Sequence, residues 1–419
     1  MKKIEVILVG AGNRGKTYTE YAIRFPEEMR VIGVVEPQKR LREEFAARHN
    51  IPQNMQFVNV EEFVKAGKEC DIVFNCTLDN LHYETCKALL QYKYNVLVEK
   101  PITPKKEELL DLANIAKKNG CFVAVCHVLR YTPFYQSIKR HILNGEIGKI
   151  TSIYMSECVK VGHFVESYVV GKWKSEEECG SPFLLAKSCH DTDLMCWLNN
   201  DTEPEQIASF GDRKIFLPEN APVTHGERCT SCSAEPYCKY SVLKALFKAG
   251  WTARIMNDID KPKDEITKED IIEHLKVSDY GKCAYTNRDL MDRQNLIVKF
   301  KNGSIGTFDL IGAAATGNRH IHIVGEDGEI FGDHSKSTYC VRKFNFDTYQ
   351  STDEWYDVSA NIKSDHGGGD DGLVRELIAY LNGDRSSVSI TKLSDSINGH
   401  LVVYNAELSR KTGQIVRFE

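Results

Sequence analysis

The chain has 419 residues and a formal net charge of −5 with both signs interspersed. That length buries a large core in two or three domains, and the charge leaves no footprint for nucleic acid or an anionic membrane surface, so a small-molecule partner is expected. Fourteen cysteines without a secretory leader point to reduced thiols and a cytoplasmic setting.

The opening MKKIEVILVGAGNRG has the lysines of a leader, but Glu5 breaks the apolar run and glycines and Arg14 follow at once, so it reads as a first strand. The apolar run CFVAVCHVL is about half of the ~20 residues that a membrane span needs. Strand patterns at Ile4 to Val9, Val31 to Val35, Ile72 to Asn75, Asn95 to Val98 and Phe122 to Val125 alternate with helical spacing such as Leu109, Leu112, Ala113 and Ala116. This predicts an α/β domain over 1–130, a doubly wound parallel sheet with helices on both faces. Within VEKPIT, Thr103 and Pro104 read as the cap and first position of a helix.

After Arg130 the pattern changes. IVKFKNGSIGTFDL and IHIVGEDGEIFG each set β-rich runs around a turn, Asn302-Gly303 and Asp327-Gly328, of the kind that needs positive φ. Residues 131–419 are therefore expected to form an α+β domain on a mainly antiparallel sheet. A polar, cysteine-bearing insertion is expected at about 211–290, and a helix at about 393–412 with an apolar stripe of Ile397, Leu401, Tyr404, Ala406 and Leu408.

Gly10, Gly12 and Gly15 follow the first strand and open a helix, with Asn13 and Arg14 between them. Gly10 permits the turn, Gly12 lets backbone approach a pyrophosphate, and Gly15 lets the helix lie on the sheet. Glu36 ends the second strand twenty-one residues after Gly15, where a carboxylate accepts both ribose hydroxyls and repels a 2′-phosphate. NAD is favoured over NADP, with Arg14 and Arg40 in the sequence arguing the other way. A nicotinamide enzyme also needs a base or cation beside the substrate oxygen, and Lys100 stands at a strand's carboxyl end, where such chemistry is kept.

The fingerprint, VVEP, CTLDNLH, EKPIT and LLAKSCHDTDLMCWL together resemble the Gfo/Idh/MocA oxidoreductases over nearly the whole chain. The resemblance implies a Rossmann domain followed by a large open sheet that associates as a homodimer or homotetramer. It implies that Lys100 contacts nicotinamide ribose and substrate, with a bond to Pro101 that is commonly cis, and that Thr77, Asn80, His82 and Glu99 contact or adjoin the cofactor. It places His190 as the active-site acid and base, with Asp191 beside it and Asp193 anchoring the helix. Where many members carry an aspartate four residues before the histidine, this chain has Ala186 followed by Lys187. A cation there would depress the histidine's pKa and suit an anionic or keto substrate.

Substrate-facing groups are expected among His127, Arg130 and Tyr131, among His163, Tyr168 and Trp173, and at His366 beside Asp370. Within RCTSCSAEPYC, Cys229, Cys232 and Cys238 suggest a structural zinc with Cys283 as fourth ligand, or else His225; iron–sulfur ligation is the alternative. The functions in view are an NAD-dependent oxidoreductase acting on a secondary hydroxyl or keto group of a sugar, cyclitol or sugar derivative, an NAD-dependent glycoside hydrolase working by transient oxidation and elimination, and a non-catalytic cofactor-binding protein.

Overall fold

The structure is a computed structural model and describes residues 2–199, 201–252, 255–285, 289–362 and 366–418. Strands β1 (Ile4–Val9), β2 (Met29–Val35), β3 (Gln56–Phe57), β4 (Ile72–Asn75), β5 (Val96–Val98) and β6 (Val123–Val125) pair in parallel in the order β3-β2-β1-β4-β5-β6. Most residues of β1 and all of β4 and β5 are buried, which is why these strands read as continuous apolar runs. The order reverses between β1 and β4, the place where a doubly wound sheet opens a crevice at its carboxyl ends.

β3 and the start of the helix after β5 differ most from the sequence expectation. β3, two residues long, is too short to carry a period. The helix expected from Thr103 begins at Lys106: the Thr103 hydroxyl instead accepts from the Lys105 N–H at 3.3 Å and donates to Glu108.

The second sheet holds β7 (Ile150–Lys160), β8 (Pro204–Asp212), β9 (Arg293–Phe300), β10 (Ile305–Ala314), β11 (Asn318–Gly325), β12 (Gly328–Asp333), β13 (Thr338–Asn345), β14 (Gln350–Asp357) and β15 (Val416–Arg417). Their order is β14-β13-β12-β11-β7-β10-β9-β8-β15, antiparallel except between β7 and β10. One face is core: Leu296, Phe308, Met155 and Ile321 lie side by side in register, all buried. Helices Phe183–Leu198 and Leu393–Thr412 supply residues to that same core. The next register row, Ile297, Thr307, Tyr154, His322, Phe331, Cys340 and Trp355, points the other way, and its Ile297, Tyr154 and Trp355 are exposed.

Of the two expected hairpins, only the first uses a left-handed glycine, Gly303 at φ 90°. Asp327 and Gly328 have ordinary φ. Glycine is needed at 328 for a different reason: a Cβ there would stand 2.3 Å from the Arg342 carbonyl oxygen on β13.

The chain after the second sheet returns to the first. Helix Gly369–Leu381 contributes Leu373, Val374, Leu377 and Ile378 to the core of the parallel sheet, so a cut at residue 130 divides one core between two segments. Thr391 accepts from the Val125 N–H at 2.9 Å, and Lys392 bridges Ala124, which covers the open edge of β6.

Arg130, expected to face substrate, is 2% exposed and instead ties the two cores together. Its Nε and Nη2 donate to both carboxylate oxygens of Asp193, at 2.7 and 2.5 Å, and Nη2 reaches the Asp395 carbonyl oxygen at 3.3 Å. Tyr131 is likewise core, 2% exposed, with its hydroxyl on Thr391 at 3.1 Å. Removing one partner of a buried ion pair strands the other, at a cost of about 3–5 kcal/mol. Arg130→Met should therefore lower the urea midpoint of unfolding sharply, and Arg130→Met with Asp193→Leu should recover part of the loss. A midpoint unmoved by the single substitution would contradict this tie.

Candidate active site

The turn after β1 is shaped around an opening. A Cβ on Gly10 would meet the Cys76 carbonyl oxygen at 2.6 Å, and one on Gly15 would meet the Gly10 oxygen at 2.4 Å, whereas one on Gly12 would meet nothing within 4 Å. The protein's own packing thus explains the first and third glycines; the space over the second is free for a ligand. Gly12 caps helix Asn13–Arg24 without a side-chain hydrogen bond, so the first amides of that helix face this space. Glu36, 6% exposed, accepts from the Ala11 N–H at 2.9 Å and the Gln38 N–H at 3.0 Å, which fixes its carboxylate at the end of β2. These features fit an adenine dinucleotide.

Arg14 is not available to it. Its Nε donates to Glu99 at 2.8 Å and its Nη2 to Asp370 at 2.6 Å. Arg40 is engaged with Glu44 at 2.9 Å and Asp260 at 3.1 Å. In the loop after β4, Asn80 is exposed and the Thr77 hydroxyl donates to Asn75 at 3.0 Å. His82 corrects the expectation of cofactor contact. It is fully buried, with Nδ1 2.7 Å from the Pro101 carbonyl oxygen and Nε2 3.1 Å from that of Thr77, and so pins the loop to the segment that carries Lys100.

The Lys100–Pro101 peptide is cis. Glu99 is buried, accepting from Arg14, from the Tyr18 hydroxyl at 2.7 Å and from the Lys100 N–H at 2.7 Å. Burial alone would push its carboxyl up, but Arg14 and Lys100 outweigh that and hold it below the usual range. The Lys100 ammonium donates to the Ala186 carbonyl oxygen at 3.1 Å, one turn before His190 on helix Phe183–Leu198. A residue from the first sheet and a residue from the second domain's helix thereby meet at one crevice.

His190 is 7% exposed and its Nδ1 has no hydrogen-bond partner among the described residues. Burial, reinforced by Lys100, His127, Arg319 and His366, drives its pKa well below the ordinary histidine value, so the imidazole is neutral at neutral pH. Lys187 is not among those causes, contrary to expectation. Its ammonium sits 2.9 Å from Glu157, and Arg319 lies 2.8 Å from the other Glu157 oxygen and 2.7 Å from Asp191. The Arg319 Nε hydrogen goes to Asp191, so its contact with Glu157 is electrostatic. Lys187, Glu157, Arg319 and Asp191 form a chain of alternating charge against the helix that carries His190.

Other expected substrate contacts fall elsewhere. His127 is fully buried behind His190, ring centroids 5.6 Å apart, with its Nε2 3.6 Å from Asp193, and it cannot touch a ligand in the crevice. Tyr168 is core, packed on Phe164 and Phe183. His163 stacks on Trp251 of the insertion at 4.7 Å. Trp173 donates to Asp79 of the first domain at 3.0 Å. His366 stands half-exposed at the rim, with Nδ1 2.9 Å from Asp370. Arg319 and Glu157 were not foreseen; an arginine and a glutamate inside β-rich, apolar runs were the available signal.

The expected zinc finds no support. Among the described residues no group of three or more His, Cys, Asp or Glu side chains is arranged to hold a metal ion. Cys229, Cys232, Cys238 and Cys283 do line one small cavity with Tyr240 and Tyr285. Burial pushes the Cys229 thiol up to about 11, and the Cys232 sulfur accepts the Gly226 N–H at 3.2 Å. His225 turns its Nδ1 to the Pro222 carbonyl oxygen at 2.9 Å. All four thiols face that cavity, and after burial Cys238, Cys283 and Cys232 add to the rise at Cys229.

A dinucleotide turn facing a lysine and a neutral histidine across a domain interface is the equipment of a nicotinamide-dependent oxidoreductase. Residues 4–127 match the oxidoreductase family's NAD-binding Rossmann fold and residues 139–418 its C-terminal alpha/beta domain. The chain belongs to this family, Gfo/Idh/MocA, and is an NAD(P)-dependent oxidoreductase. Among similar proteins, YteT of Bacillus subtilis (strain 168), named as an oxidoreductase, is 24% identical over 76% of this chain and 74% of its own. The 1,5-anhydro-D-fructose reductase of Ensifer adhaerens is 24% identical over 48% of this chain and 58% of its own. Levoglucosan dehydrogenase, solved with NADH and L-sorbose, superimposes with a TM-score of 0.71 at 16% identity and full coverage of both chains. Among the described residues no helix is long and apolar enough to cross a membrane.

Burial holds His127, His190 and His400 below the ordinary histidine pKa, His400 down to about 3. As pH falls below about 6.5 the unfolded chain therefore binds protons that the folded chain does not, and stability drops, by up to about 4 kcal/mol per pH unit for three such groups. Urea midpoints should fall markedly from pH 7.5 to pH 5.5, and His127→Leu, which leaves no polar partner stranded, should make the fall shallower. Equal midpoints at both pH values would contradict the neutral, buried assignment.

Proposed function

We propose that the protein is an NAD-dependent dehydrogenase or reductase acting on a secondary hydroxyl or keto group of a sugar, cyclitol or sugar derivative. The observation that carries this reading is the Lys100 ammonium seated one turn from a neutral His190 at the carboxyl end of the parallel sheet. The nicotinamide, when bound, supplies the hydride acceptor or donor. Lys100 then polarises the substrate oxygen, and His190 takes the hydroxyl proton in oxidation or returns it in reduction. A histidine already neutral at pH 7 is a base without first losing a proton.

Glu36 supports NAD over NADP. Its two backbone N–H bonds leave lone pairs for ribose hydroxyls, its charge opposes a 2′-phosphate, and Arg14 and Arg40 are both committed to carboxylates. The chain Lys187–Glu157–Arg319–Asp191 supports a polyhydroxylated substrate, since it offers donors and acceptors together. The names of similar proteins, levoglucosan dehydrogenase and 1,5-anhydro-D-fructose reductase, point to the same substrate class. We further propose that the exposed sheet row with Ile297, Tyr154 and Trp355 packs on a second copy, since an apolar sheet face seeks cover.

A panel of sugars, cyclitols and glycosides assayed for NADH appearance and for aglycone release tests the reading. NADH should accumulate in proportion to substrate consumed. Aglycone release without net NADH would instead make it a glycoside hydrolase. On an accepted substrate, Lys100→Met and His190→Ala should each slow turnover by about 10²–10⁴ while NADH still binds; near-native turnover in either would remove that residue from the mechanism. Glu36→Ala should narrow the preference for NAD, and equal affinity of the intact protein for NAD and NADP would contradict its role.

A further inference from the structure

The insertion between β8 and β9 touches the nucleotide domain at the place where the glycine turn is open. The Lys263 ammonium donates to Asn13 Oδ1 at 3.2 Å, and Asn13 is the first residue of the helix that Gly12 caps. Three residues earlier, Asp260 meets Arg40 at 3.1 Å, so this stretch of the insertion touches the nucleotide domain at two points, the start of the helix after β1 and the helix after β2.

The charges there do not balance. Arg40 is neutralised by Glu44 and Asp260. Lys16, on the same helix, and Lys263 have no carboxylate in ion-pair range among the described residues, and burial together with the charges of Lys16 and Arg40 holds the Lys263 pKa below its ordinary value against a smaller pull from Glu44. With Lys263 the second domain brings a further cation beside Lys16 and Arg40. Lys263 spends one N–H on a neutral amide oxygen and keeps two, beside the free amides of the helix and the unfilled space over Gly12. An anion in that space would satisfy all of them at once.

We propose that Lys263 is a cofactor-binding residue, supplied by the insertion, whose ammonium binds the diphosphate of the dinucleotide over the glycine turn together with Lys16. The insertion is thus a clamp that joins the second domain to the first through the cofactor. This rests on the dinucleotide reading and deepens it, because neither the glycine fingerprint nor any motif of the nucleotide domain includes a residue from this segment. Glu36 and Lys263 divide the work: the acid meets the ribose and the base meets the phosphates.

The test compares ADP with adenosine, by calorimetry on the intact protein and on Lys263→Met and Lys263→Glu. Losing one ammonium–phosphate contact at a partly solvated site should weaken ADP, and NADH with it, about three- to tenfold. Lys263→Glu should weaken them more, and adenosine should be unchanged. ADP bound equally by intact protein and Lys263→Met would overturn the proposal and leave the dinucleotide reading standing. Equal weakening of ADP and adenosine would also overturn it, since the lysine would then act only through the fold of the insertion. If the intact protein bound no ADP, the dinucleotide reading would fall and this proposal with it.

Discussion

Arg130 and Asp193 form a bidentate ion pair in which neither side chain is more than 2% exposed. The pair sits between the end of the parallel sheet and the helix that carries His190, so the relative position of Lys100 and His190 depends on it. Two charges removed from water hold each other far more strictly than apolar contact would, because any displacement leaves one of them unpaired in a medium that cannot solvate it. His82, gripping the Thr77 and Pro101 carbonyl oxygens, and His400, accepting from the Ile102 N–H at 3.0 Å, fix the Lys100 segment from its two sides. The site is rigid because its supports are buried polar groups with few alternatives.

The same burial tunes the chemistry. Beyond burial, the charges of Lys100 and, less, of Arg319 act on His190, and each makes a positive charge on the imidazole costly. Arg319 and Lys187 are in turn balanced by Asp191 and Glu157, whereas the Lys100 ammonium has no carboxylate within ion-pair distance among the described residues and donates to a carbonyl oxygen of the helix. An ammonium with a neutral anchor is free to turn toward a substrate oxygen. A lysine locked in an ion pair would lose that freedom.

Much of this was legible in the sequence where the signal is local. The strand runs, the glycine turn, Glu36, the Lys100–Pro101 step and the helix over 393–412 follow from short-range pattern and motif. What was misread depends on partners distant in the chain. A polar residue just past a strand end looks the same in sequence whether it lines a crevice or, as with Arg130, meets a buried aspartate sixty-three residues on. His127 and Tyr131 were misplaced for the same reason, and the Glu157–Arg319 contact joins residues on neighbouring strands far apart in sequence. Helix Gly369–Leu381 carries an amphipathic pattern that says it must pack, but not on which sheet. The four cysteines come together at one cavity, as their spacing suggested, without an arrangement that holds a metal ion among the described residues.

Lys100 and His190 form one electrostatic unit across the domain interface. It is tested most directly by following the His190 side-chain nitrogens by NMR through a pH titration, in the intact protein and in Lys100→Met. The imidazole should be neutral through pH 6.5, with protonation only at clearly lower pH, and that pKa should move upward when the lysine charge is removed. A His190 that titrates near the ordinary value of about 6.5, with no response to Lys100→Met, would contradict it.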